Sequence, residues 1–113
     1  MAYIPEKIAL SETLATNYNL VSGSTSFAST DISEYNRFSI QFVATSVTGD
    51  VDYVIEQSND NTNWDEFENA SLMFNASNSK FTIERNGFNG KHVRVRIKSA
   101  GTGTLSLYLV AKR

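Results

Sequence analysis

Side chains able to do chemistry are scarce in this chain of 113 residues, which has one histidine and no cysteine. Without thiols there are no disulfides, no thiolate metal sites and no cysteine nucleophile. A general base would have to be His92 or a perturbed carboxylate. A Ser-His-Asp arrangement also needs a positioned nucleophile and oxyanion donors, and no serine sits in an elbow such as GxSxG. His92 falls instead in a row of alternating cations with Arg94, Arg96 and Lys98. The row reads either as a basic stripe for phosphate or an acidic partner, or as a solvated strand face neutralised by Asp52 and Glu56. Those two acids share a face of their own strand, and opposite charges across strands contribute a few tenths to ~1 kcal/mol. The expectation is a protein with no catalytic residues that is not an enzyme.

Residues 58–68 (SNDNTNWDEFE) gather Asn59, Asp60, Asn61, Asp65, Glu66 and Glu68 around the single tryptophan, Trp64. Oxygen-rich loops can hold Ca²⁺, but this one lacks EF-hand spacing, with no glycine in its middle and no fixed closing acid. An Asx-rich turn bonded to its own backbone is the competing reading, and no metal or cofactor is expected. Trp64, Tyr53 and Phe67 could form a sugar-stacking platform; alternatively Trp64 folds back over the end of the core. Two glycosylation-type triplets start at Asn69 and Asn75, and without a secretory signal they read as chance in an Asn/Ser-rich chain.

These residues are carried on strands. In residues 37–44, Phe38, Ile40 and Phe42 alternate with Arg37, Ser39 and Gln41; in residues 91–99, Val93, Val95 and Ile97 alternate with the cations. Period-two alternation marks half-buried strands. Residues 51–57, 80–84 and 104–111 read as further strands, and 17–21 as a weaker one. Glycines fall between them, and Asn86-Gly87 and Asn89-Gly90 favour positive-φ turns. Residues 64–73 read as a loop with a short strand. Six to eight short strands predict an all-β fold, an antiparallel β-sandwich of jelly-roll or immunoglobulin-like type.

The chain is short enough for one core. Residues 16–113 form that domain, and residues 1–15 an N-terminal arm or first edge strand carrying Tyr3, Ile4, Ile8 and Leu10. The arm either pairs within its own sheet or adds to a neighbour's sheet edge. A net charge of −2 argues against nucleic acid and anionic membranes as partners. Residues 1–14 lack the apolar run of a signal peptide, and no stretch has the length of a membrane span. The expectation is a soluble protein made without standard secretion.

Residues 53–67, YVIEQSNDNTNWDEF, resemble a pattern in β-sandwich structural proteins of tailed bacteriophages. There a strand ending in Gln-Ser runs into an Asn-Asp turn, then a tryptophan and the next strand. The similarity covers the middle and C-terminal half of the chain; where the pattern often has glycine after the Asn-Asp pair, this chain has Asn61. The resemblance implies a virion component, a capsid auxiliary or decoration protein or a head-fibre or tail element. It would be made in the host cytoplasm and held by contacts with other virion proteins and copies of itself. The partner-binding residues expected are Tyr3, Ile4, Ile8, Leu10, Asn59, Asp60, Trp64 and Phe67. A carbohydrate-binding or host-recognition module, with a glycan as partner, is the alternative.

Overall fold

The computed structural model describes residues 9–20, 25–67, 72–99 and 101–113. Among them nine strands form: β1 (Ala9–Asn19), β2 (Thr25–Ala28), β3 (Arg37–Thr48), β4 (Val51–Ser58), β5 (Asp65–Glu66), β6 (Leu72–Phe74), β7 (Lys80–Asn86), β8 (His92–Ser99) and β9 (Thr102–Lys112). They make two antiparallel sheets, ordered β1-β9-β3-β7 and β2-β8-β4-β5, with β6 also pairing β4. From β1 to β4 the chain changes sheet at every connection, and it does so again from β6 to β9. That order is the jelly roll. β5 and β6 pair successive stretches of one edge of β4, so nine strands fill eight positions.

Alternation builds the core. Phe38, Ile40, Phe42 and Ala44 of β3 and Leu105, Leu107, Leu109 and Ala111 of β9 point inward from the first sheet. Val51, Tyr53 and Ile55 of β4 and Val93, Val95 and Ile97 of β8 meet them from the second. Burial of each large apolar side chain contributes roughly 1.5–3 kcal/mol. Aromatic rings close both ends. Phe42 stacks on Phe81 with centroids 4.6 Å apart and meets Tyr53 at 4.8 Å. At the other end Phe38 touches Phe67 and Phe88 edge-on at 5.6 and 5.5 Å.

The weak strand signal at 17–21 is the tail of a longer strand. β1 pairs with β9 from Ala9↔Lys112 to Asn19↔Thr104, but its register shifts twice between Thr13 and Tyr18. Bulges interrupt period two, which hides the strand from its pattern. Asn17 takes φ 45° in the irregular stretch, and its N–H donates to the Ser106 hydroxyl at 2.9 Å. The Glu12 carboxylate fastens β1 to the β2–β3 loop, accepting from the Thr30 N–H at 2.9 Å and its hydroxyl at 2.6 Å. Of the two Asn-Gly turns, Gly87 has φ 74°. Gly90 does not take a positive φ; a Cβ there would meet the Phe88 ring at 3.0 Å, so packing explains this glycine.

The four sheet edges differ. β2 is four residues long, β5 and β6 only two and three. β1 is bulged. β7 spans seven residues, in unbroken register with β3 from Arg37↔Asn86 to Val43↔Lys80.

Candidate functional site

Among the described strands, β7 is the sheet edge with the longest unbroken register to its neighbour. The Ala44 N–H donates to the Ser79 carbonyl at 2.8 Å. Backbone groups alternate in direction along an antiparallel ladder, so Phe81, Ile83 and Arg85 turn theirs toward β3. Lys80, Thr82, Glu84 and Asn86 turn theirs outward, where the Glu84 carbonyl accepts from Arg85 Nη1 at 2.6 Å. Short, bulged or charged strands are usual protections against edge pairing; β7 is neither short nor bulged and has no proline, but it carries Lys80, Glu84 and Arg85.

The cation row lies on the outer face of the second sheet. β4 pairs with β8 so that Glu56 stands opposite Arg94, and Val54 opposite Arg96. Glu56 is 6% exposed, and one of its oxygens accepts from Arg94 Nε at 2.7 Å and Arg96 Nε at 3.1 Å. Trp64 stands over Arg94, with the guanidinium carbon 4.2 Å from its ring centroid. The His92 ring lies 6.4 Å away, edge-on to the indole. His92 Nδ1 is 3.2 Å from the Ser29 carbonyl, which can only accept, so Nδ1–H donates. The central arginines therefore have a partner within the sheet.

The three rings do not share a platform. Tyr53 is buried in the core and Phe67 packs against it, while Trp64 lies on the outer face over Arg94. Trp64 and Phe67 flank the two-residue β5, and their side chains fall on opposite faces of it. Nor does Trp64 cover the end of the sandwich, which Phe38, Phe67 and Phe88 close.

The loop from 59 to 63 is organised by Asp60. Its Oδ1 accepts from the Ser58 hydroxyl, the Thr62 N–H and the Asn63 N–H, all at 2.8–2.9 Å. Its Oδ2 accepts from Asn63 Nδ2 at 2.7 Å. The backbone N–H groups of Asn63 and Thr62, and then the Asn63 and Ser58 side chains, hold this carboxyl far below the usual carboxylate range. Asn61 adopts φ 60°, the left-handed conformation for which glycine is the easy choice and asparagine the next. Asparagine thus serves the turn where the phage-type pattern often has glycine, at a higher conformational cost. Among the described residues no group of three or more His, Asp or Glu is placed to hold a metal ion.

A polar cleft of about 480 Å³ opens beside this loop, between it and the β7–β8 turn. Gln57, Asn59, Asn63, Asp65, Phe67 and Asn89 are among its lining residues. Of the residues expected to bind a partner, Asn59, Asp60 and Phe67 come together here. Leu10 lies on β1 opposite Ala111, and Tyr3, Ile4 and Ile8 fall outside the described residues. Gln57, Asn89 and Gly90 had no functional signal: Gln57 reads as a strand end, and the other two as a turn. The triplet at Asn69 lies outside the described residues, and Asn75 uses its side-chain oxygen to accept from the Ser77 N–H at 3.0 Å.

No protein-family model matches the chain, and neither does any curated protein. Solved structures do resemble it. One is a chain from Bacillus endospore appendages, described as a novel family of disulfide-linked pili. It is 14% identical with a TM-score of 0.57, covering 99% of this chain and 95% of that one. Another is the Yersinia pseudotuberculosis-derived mitogen, 13% identical with a TM-score of 0.53, covering 96% and 86%. The likeness is one of fold. A β-sandwich of this type, spanning nearly the whole of both chains, is what they share.

Proposed function

We propose that this chain is a non-enzymatic structural subunit of a phage particle, a capsid auxiliary, decoration or head-associated protein assembled by strand pairing. The observation that carries the assembly reading is β7, a regular seven-residue edge that no other described strand pairs on its outer side; an incoming strand must displace the Arg85 guanidinium from the Glu84 carbonyl. The incoming strand in this reading is the arm of a neighbouring copy, with Tyr3, Ile4 and Ile8 supplying apolar contacts and the backbone supplying the ladder. β1 from Ala9 onward belongs to its own sheet, so the donor is confined to residues 1–8. The endospore appendage chain supports the reading because a similar fold there builds pili. Those are disulfide-linked; this chain has no cysteine, so its assembly rests on non-covalent contacts. The virion setting rests on the phage-type pattern of residues 53–67.

The test compares the full chain with a variant lacking residues 2–8 and with Thr82→Pro, by light scattering after size exclusion and by electron microscopy. The full chain should form oligomers, and both variants should remain folded monomers. Thr82 sits where its N–H points away from β3, so proline there removes an outward donor and spares the ladder. A full chain that stays monomeric at high concentration, or a Thr82→Pro variant that assembles normally, refutes strand addition at β7. Mass spectrometry of purified particles tests the virion setting separately.

A further inference from the structure

We propose that the cleft between residues 57–67 and the β7–β8 turn is a binding site for a neutral saccharide. The apolar inward row of β4, Val51, Tyr53 and Ile55, ends on Gln57, so the core gives way to a carboxamide at the cleft. Asn59, Asn63 and Asn89 add three more carboxamides, and Phe67 an aromatic wall. Each carboxamide offers two N–H donors and one carbonyl acceptor, and a sugar hydroxyl both donates and accepts. Among the described residues no hydrogen bond occupies the side chains of Gln57, Asn59 or Asn89. Asn63 spends one amide N–H on Asp60 and keeps its carbonyl. The ring of Phe67, backed by Phe38 and Phe88, is fixed in place and offers the apolar surface on which the C–H face of a pyranose packs.

Other ligand classes fit the lining less well. The volume lies within the roughly 300–1,000 Å³ of small-molecule sites, yet the walls are polar where an apolar ligand would need hydrocarbon. A hard cation needs several free carboxylate oxygens. The lone pairs of Asp60 are largely taken by Ser58, Thr62 and Asn63, which leaves Asp65 as the other acid among the described lining residues. A phosphate or sulfate would meet Asp60 and Asp65 with no lysine or arginine among the described lining residues. The lining reaches Gly87, next to the end of β7, but includes none of the β7 residues Lys80–Asn86, so the two readings are tested by different residues.

The experiment is a ¹H–¹⁵N correlation titration of the full chain with the methyl glycosides of glucose, galactose, mannose and N-acetylglucosamine, and with calcium chloride. At least one glycoside should give saturable shifts confined to residues 57–63, 65–67 and 87–90 and to the side-chain amides there, with Kd of the order of millimolar. Asn89→Ala, an exposed turn substitution, should weaken binding about tenfold, equal to ~1.4 kcal/mol, while Arg94→Ala on the outer face leaves it unchanged. Absence of saturable shifts with every glycoside overturns the proposal. So do shifts centred on Trp64 and Arg94, or the same cleft shifts produced by calcium alone.

Discussion

Glu56 is outward-facing, nearly buried and shared by two arginines, and that combination sets what its removal does. Glu56→Ala leaves Arg94 and Arg96 side by side without their common acceptor. The loss should be about 1–3 kcal/mol, the range for a buried charge-assisted bond whose partners stay behind, read by urea denaturation. Asp60 makes a second prediction, on pH. Its folded-state pKa is depressed below the ordinary 3.8, so its contribution to stability is present above that value and is lost as pH falls through the folded pKa. Asp60→Asn should flatten the acid limb of the stability–pH curve below about pH 4. Stability at pH 7 is the wrong place to look for this effect alone, since the substitution also alters the loop's hydrogen bonds. An acid limb identical in the two proteins would show that the bonds to Ser58, Thr62 and Asn63 do not persist in solution.

Among the elements, the turn into β9 is the tightest. A Cβ on Gly101 would lie 1.9 Å from the Thr48 carbonyl oxygen, a backbone atom that cannot swing aside. Gly101→Ala must displace the end of β3 or of β9, and a cost of about 1–3 kcal/mol is expected from such overpacking. The melting temperature checks it, with Gly49→Ala as a contrast: the space around Gly49 is empty, and only its φ of 73° opposes a side chain. β9 itself lies between β1 and β3 and supplies four fully buried side chains. Leu107→Ala in its middle should cost about 2–5 kcal/mol, the range for emptying a packed site, by the same denaturation measurement.

At the scale of the whole molecule, the first described strand pairs with the last, Ala9 opposite Lys112. One core shared by two sheets should unfold in a single cooperative transition, with circular dichroism and Trp64 fluorescence tracing the same curve. Because β1, β9 and β3 join distant parts of the chain, refolding should fall in the milliseconds-to-seconds range of non-local β topologies. Non-coincident transitions would mean that the outer-face cluster around Trp64 melts apart from the core.

Five strands were legible from alternation and turn residues, because a strand with one face in the core records that fact every second residue. So was the pairing of Glu56 with the cation row, since both lie on outward faces of strands. β1 was only partly legible because its bulges break the period, and β2 was not legible at all because Phe27 is its single large apolar residue. The site was harder. Asn59, Asp60 and Phe67 were marked by their loop, but Gln57 and Asn89, over thirty positions apart, meet only because β4 and β7–β8 end at the same pole of the sandwich. The place of Trp64 followed the same rule: composition grouped it with Tyr53 and Phe67, while the fold set it on the opposite face. Residue order along one strand determined which side chains are buried, whereas the order of strands across each sheet decided which edge stayed open and which polar groups converged. The first depends on local period, the second on pairings between distant segments, and only the fold brings those together.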